Sequence, residues 1–230
     1  MSIKLDAVSI PVDAVYRDGM DDGEAGGSRR RRAAPTKGDL RERAILDAAE
    51  RQLATDGYDG MTVATIAQAA GISRGALYFY FGSKNEVLAA LVERTVAMLR
   101  SEVDAVDDVA TPPEEALRRA VERTADMWRE HRTVMRTAVE LSATVPAIDT
   151  AWRSAVVALA DTMRGVGERA GLPPGAGPRD SGAVAAALVW MTERVFYQTA
   201  VGGGAMDDVA ATLVHVWRTV LGRPVGTDGG

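Results

Sequence analysis

Four side chains near the first third of the chain could do the same kind of chemistry. Arg74, Tyr78, Tyr80 and Lys84 follow one another within eleven residues, in the string SRGALYFYFGSK. An arginine, two phenols and a lysine are groups that bond phosphate oxygens and base edges. Catalytic sets of the familiar kinds are not evident. The two histidines, His131 and His215, lie far apart, with no carboxylate or cysteine at ligand spacing, so neither a metal nor a cofactor is expected. No glycine-rich phosphate loop follows a strand, and no nucleophile elbow occurs. The reading is not an enzyme.

Presenting those four groups requires a pair of short helices. Val63, Ile66, Ala67 and Ala70 recur at helical spacing, and Thr62 caps them. Gly71 supplies the conformation at which a helix turns back. Ser73 then caps a second helix, with Leu77 turned inward and Arg74, Gly75, Tyr78 and Tyr80 turned outward. The small Ala67, the turning Gly71 and the plugging Leu77 over Thr62 to Phe81 are what a helix-turn-helix needs, a spacing shared with ordinary packing of two angled helices, and the outward arginine and tyrosines point to the former.

GISRGALYFYFGSKNEVLAAL resembles the signature of the TetR family of bacterial transcriptional regulators, over about Asp39 to Leu99. One departure is Tyr80, where many members carry histidine. The later segments ERVFYQTAVGGG and TLVHVW are similar to an EthR-like branch. The resemblance implies an all-α fold, with a three-helix DNA-binding head and a larger helical ligand-binding and dimerisation body, about nine helices in all. It implies that Ser73, Arg74, Gly75 and Tyr78 meet a major groove, while Thr62, Tyr80 and Lys84 hold phosphates. Double-stranded operator DNA, a small-molecule effector and a second copy of the chain are the implied partners.

Charge is distributed to match. The chain is acidic overall, at −5, yet residues 29–84 hold ten basic and six acidic side chains. Positive charge is gathered around the motif, as a nucleic-acid footprint requires. Cysteine is absent, so there is no disulfide framework. The start shows no basic stretch followed by an apolar run, and the longest apolar run, Ala183 to Met191, is too short to span a bilayer. A cytoplasmic protein without membrane association is expected.

The organisation then reads in order. Residues 1–38 lack helical period and form a disordered tail, in which Met20 is an alternative start. The tail ends in a basic arm, Arg29–Arg32, which is either solvated or reaches the DNA backbone or a minor groove. Asp39 to Thr55 is an amphipathic helix with Leu40, Ala44, Ile45, Ala48, Ala49 and Leu53 inward. Ser83 caps a long helix to about Asp107, with Val87, Leu88, Leu91, Val92, Thr95, Met98 and Leu99 as its stripe. It is the one continuous link between the head (39–99) and the body (100–222). Helices are expected over 114–130, 133–143, 146–170, 181–200 and 206–221, followed by a frayed tail, 223–230.

The helix over 181–200 is apolar on almost all sides and so must be covered on both. That makes it, with the last helix, the expected dimer interface. A mostly apolar ligand pocket, implied by the resemblance, would draw on Leu117, Trp128, Trp152, Val156, Thr192, Glu193, Phe196, Tyr197 and Trp217. Val189 stands where the EthR-like branch often has asparagine. Glu193 is the polar group of interest: it either pairs with Arg194 or a nearby backbone group, or accepts a hydrogen bond from a ligand. The expected function is a ligand-responsive repressor released by a small apolar molecule. An activator of the same fold and a helical small-molecule binder that does not read DNA are the alternatives.

Overall fold

A computed structural model describes residues 36–106, 110–175 and 177–221. Expectations for the N-terminal tail, its arginine arm, the alternative start at Met20 and the tail from 223 fall outside them. Among the described residues there are nine helices and no strand. They are α1 Lys37–Gly60, α2 Val63–Ala69, α3 Arg74–Tyr80, α4 Lys84–Val106, α5 Pro113–Glu130, α6 Arg132–Ser142, α7 Pro146–Arg169, α8 Ser181–Gly202 and α9 Met206–Leu221.

α1 starts two residues earlier than its apolar period suggests. Thr36 is the cap, and it forms a reciprocal capping box with Asp39. Leu40 is therefore in the first turn and 54% exposed, not part of the inner face. The inner stripe is Ile45, Leu46, Ala48, Ala49 and Leu53. The regular helix breaks at Gly57. That glycine takes a positive φ of 68°, the chain kinks, and a further turn runs to Gly60. The kink sets Tyr58 against the start of α4, where its hydroxyl meets Asn85 Oδ1 at 2.6 Å.

α2 and α3 pack on α1 as a three-helix head. Thr65 Oγ1 donates to Gln52 Oε1 at 2.9 Å and ties α2 to α1. After α2 the chain reverses at Gly71, φ 67°. Ile72 N–H bonds back to the Ala67 carbonyl and Gly71 N–H to that of Gln68, satisfying the helix's last acceptors. Leu77 is fully buried in the angle between α2 and α3.

α4 begins under the head, capped by Ser83, with Glu86 reaching back to Gly82 N–H at 2.8 Å. It runs into the body, where it packs on α5 and α7, while α7 packs on α8 and α5 on α9. Met98, expected on the buried stripe, is 40% exposed; Val96, one turn-face over, is buried instead. Among the described residues no helix is long and apolar enough to cross a membrane.

Candidate DNA interface and effector cavity

The head presents α3 outward. Ser73, Arg74, Gly75 and Tyr78 are exposed, and Ser73 Oγ accepts from Ala76 N–H as the cap. Gly75 carries information. A glycine inside a helix costs roughly 0.5–1 kcal/mol relative to alanine. A Cβ there would meet only Ser73 Oγ, at an ordinary 3.9 Å. Nothing within the fold demands the glycine, so the bare backbone suits close approach from outside.

Phe79 was not among the expected residues. It is 84% exposed, beside Tyr78 at 50%. Positions 74, 75, 78 and 79 fall on one helix face, so the 3.6-residue period could have found it. Its ring stands edge-on to Tyr80 at 5.3 Å. Tyr80 itself is half-buried and packs on the core.

The expected phosphate groups flank this helix. Thr62 is exposed and its hydroxyl caps α2 by accepting from Thr65 N–H at 3.1 Å. Lys84 is half-buried, its Nζ donating to the Tyr58 carbonyl at 3.0 Å and sitting 3.9 Å over the Tyr58 ring. An ammonium has three donors. The tether orients Lys84 and leaves donor capacity beyond this bond.

In the body, α4 to α9 converge on a narrow cavity of about 60 Å³. Of the expected pocket residues, Trp128, Trp152, Val156, Thr192, Glu193 and Trp217 line it. Three do not. Phe196 is fully buried behind Trp128, stacked on it at 6.5 Å, and so forms a second layer. Leu117 packs into the core one turn before Ala120, where α5 reaches the cavity. Tyr197 turns toward Arg194, whose guanidinium carbon lies 5.2 Å from its ring.

The walls also hold residues outside the expected pocket set, among them Val96 and Val103 of α4, Met127, Met135 and Met163. Trp128 and Trp152 meet edge-to-face at 6.5 Å. Trp217 Nε1 donates to Thr192 Oγ1 at 2.9 Å, joining α9 to α8 inside the body. Burial pushes the Glu193 carboxyl pKa above the ordinary glutamate range, opposed by the Arg194 charge.

Head and body touch at a polar cluster. Arg94 of α4 donates to Asp47 at 2.5 Å and to Glu50 at 2.7 Å, both on α1. The other Glu50 oxygen lies 2.5 Å from His131 Nδ1, at the α5–α6 junction. Among the described residues no group of three acidic, histidine or cysteine side chains is placed to hold a metal ion.

Comparison with known proteins agrees with this layout. Residues 45–91 match the model for bacterial regulatory proteins of the tetR family, and residues 117–221 that for the C-terminal domain of the transcriptional regulator EthR. The chain is 33% identical over 209 residues to the HTH-type transcriptional regulator EthR of Mycolicibacterium smegmatis, covering 86% of this chain and 95% of that one. To its counterpart in Mycobacterium tuberculosis it is 32% identical over 207 residues, covering 84% and 92%. A TetR-family regulator structure from Syntrophomonas wolfei shares the fold, with a TM-score of 0.70 at 14% identity, covering 84% of this chain and all of that one. A helix-turn-helix head with an outward-facing α3, joined by α4 to an EthR-type helical body, places this chain in the TetR family of DNA-binding transcriptional regulators.

Proposed function

We propose that the protein is a cytoplasmic homodimeric repressor, released from its operator when a small, mostly apolar molecule occupies the cavity between α4 and α9. The observation that carries this reading is a shared wall. Val96 and Val103 line the cavity, and both belong to α4, whose first residue is Lys84 under the DNA-facing head.

At the DNA, Arg74, Tyr78 and the exposed backbone at Gly75 face a major groove, with Thr62, Tyr80 and Lys84 at flanking phosphates. Two heads must land on half-sites roughly 34–36 Å apart, or a multiple of that. The second copy docks on α8 and α9; on the mostly apolar α8, Trp190 and Val201 are 41% and 47% exposed and lie on one face.

The cavity is too small for an effector as it stands. Small-molecule sites run to about 300–1,000 Å³, against about 60 Å³ here. A ligand must part the walls, and α4 is one of them. It need only favour the parted state. A 100-fold preference corresponds to about 2.7 kcal/mol of coupling.

The test is operator binding with DNA from upstream of the protein's own gene, followed by fluorescence anisotropy. Wild type should bind with strong salt dependence. Arg74→Ala should weaken binding and relax base preference, and Lys84→Ala should weaken it evenly across sequences with a shallower salt slope. Failure to bind any such duplex would favour a helical small-molecule binder that does not read DNA.

A further inference from the structure

Three polar side chains line the cavity: Thr124, Thr192 and Glu193. Two are already satisfied. Thr124 Oγ1 donates to the Ala120 carbonyl at 2.8 Å, and Thr192 Oγ1 accepts from Trp217 Nε1 at 2.9 Å. Glu193 is different. It is 7% exposed, and neither carboxyl oxygen has a hydrogen-bond partner. Arg194 Nε forms a long ion pair with Glu193 Oε2 at 3.8 Å, too far for a hydrogen bond and from a side chain that is itself 58% exposed, so the pair is weak and the carboxyl's hydrogen-bonding capacity stays unused.

A buried carboxyl whose lone pairs accept no hydrogen bond is destabilising, and an apolar residue would fill the same space without that cost. Its presence in an otherwise greasy wall calls for a partner that arrives from outside. That partner must donate hydrogen bonds, because an ionised carboxylate only accepts. It does best to carry positive charge as well, since the cavity lining supplies no cation of its own. A fatty carboxylate would meet like charge. An alcohol brings one donor and no charge. A protonated amine brings up to three donors and the charge. Trp128, Trp152 and Trp217 line the same cavity, and aromatic rings are better neighbours for a cation than for an anion.

We infer that Glu193 is the polar anchor of the effector site, and that the effector is a lipophilic amine: an apolar body ending in one protonated amino group. This rests on the reading of the cavity as the effector site.

The experiment uses the full chain and three probes of equal length: n-decylamine, n-decanol and decanoate. Binding is followed at pH 7 by the fluorescence of the cavity tryptophans and by thermal shift. Wild type should bind decylamine at least about ten-fold tighter than decanol, as one charge-assisted contact allows, with decanoate weakest. Glu193→Gln keeps the shape and one acceptor. It should still bind decanol, which also reports that the site is folded, but hold decylamine within about three-fold of it. Decanol or decanoate binding wild type as tightly as the amine overturns the inference, as does an undiminished amine preference in Glu193→Gln. Whether the cavity reading falls too is read separately. If the probes bind without amine preference and Ala155→Phe, which fills the cavity, abolishes that binding, the cavity stands and only the amine is wrong. If no probe binds, both fall.

Discussion

Replacing Glu193 by methionine should make the protein more stable, a prediction that runs against the usual direction of core substitutions. Methionine is unbranched and of similar length, so it can occupy the same space among Trp128, Val189 and Met163, which share the cavity wall with Glu193. What disappears is a 93% buried carboxyl with two unpartnered oxygens. Leaving a buried polar group unsatisfied costs about 1–3 kcal/mol, so a gain of about 2 kcal/mol is expected. For a chain of this size that is roughly 4–8 °C in Tm, at 2–4 °C per kcal/mol, compared at equal protomer concentration because the dimer makes Tm concentration-dependent. The gain must depend on pH. Burial raises the Glu193 pKa in the folded state. Below the ordinary glutamate range both folded and unfolded chains carry the proton, and the wild type keeps its full stability. As pH rises past that range the unfolded chain ionises first. Stability then drains until pH exceeds the raised folded value. The Arg194 charge reduces this effect without reversing it. The stability gap between Glu193→Met and wild type should therefore widen from pH 5 to pH 8 in urea titrations. A variant destabilised by more than about 1 kcal/mol, or a gap indifferent to pH, would refute the claim that this carboxyl is an unpaid burial cost.

The other predictions concern the head, its seat and the dimer. Phe79→Ala removes an 84% exposed ring, so Tm should not move. Operator affinity should nonetheless fall by about five- to ten-fold, the size of one lost base or methyl contact; unchanged anisotropy titrations would remove Phe79 from the interface. Glu50→Gln and His131→Ala should each cost about 1 kcal/mol in urea, because the Arg94–Glu50–His131 cluster is half-buried and partly screened. A double-mutant cycle should show them non-additive, whereas additivity would mean the short contact contributes nothing. Trp190→Asp puts a charge on the outward face of α8 and should yield monomers by light scattering. Retention of the dimer would move the interface off that face.

How much of this was legible beforehand depends on how local its cause is. The helix-turn-helix was legible because its signals lie within twenty residues. A cap at Thr62, a left-handed glycine at Gly71 and a plug at Leu77 each act on near neighbours. The departure at the start of α1 shares that logic in reverse. Leu40 looks like an inward residue on a helix begun at Asp39, but the Thr36–Asp39 capping box starts the helix earlier and leaves it in an exposed first turn. Gly57 does break the regular helix, and Met61 N–H bonds to its carbonyl to close one further turn. The cavity was legible only in part. Helix period shows that Leu117 and Phe196 are buried. It cannot show that one packs beyond the cavity and the other behind Trp128, because that depends on where six helices cross. Glu193 stands out in the sequence itself because a lone acid inside an apolar run is unusual on any helix.

The same geometry says how a small event in the body can matter at the DNA. α4 is held near its start by Tyr58, through Lys84 and Asn85, and lower down by Arg94 against Asp47 and Glu50. Its first cavity residue, Val96, comes only two positions after Arg94. From Val96 back to Lys84 is twelve residues, about 18 Å of helix at 1.5 Å each. A tilt of about 5° over that length displaces the head end by about 1.5 Å, and a dimer has two heads to displace. Half-site spacing is set by the turn of the double helix and does not adjust to suit. On the proposed docking, Arg74 and Phe79 would need hydrogen-bond and van der Waals distances that tolerate only fractions of an ångström. The cavity therefore need not open far. A ligand that wedges Val96 and Val103 away from α7 can spoil both half-sites together, because the head is clasped to α4 and must travel with it.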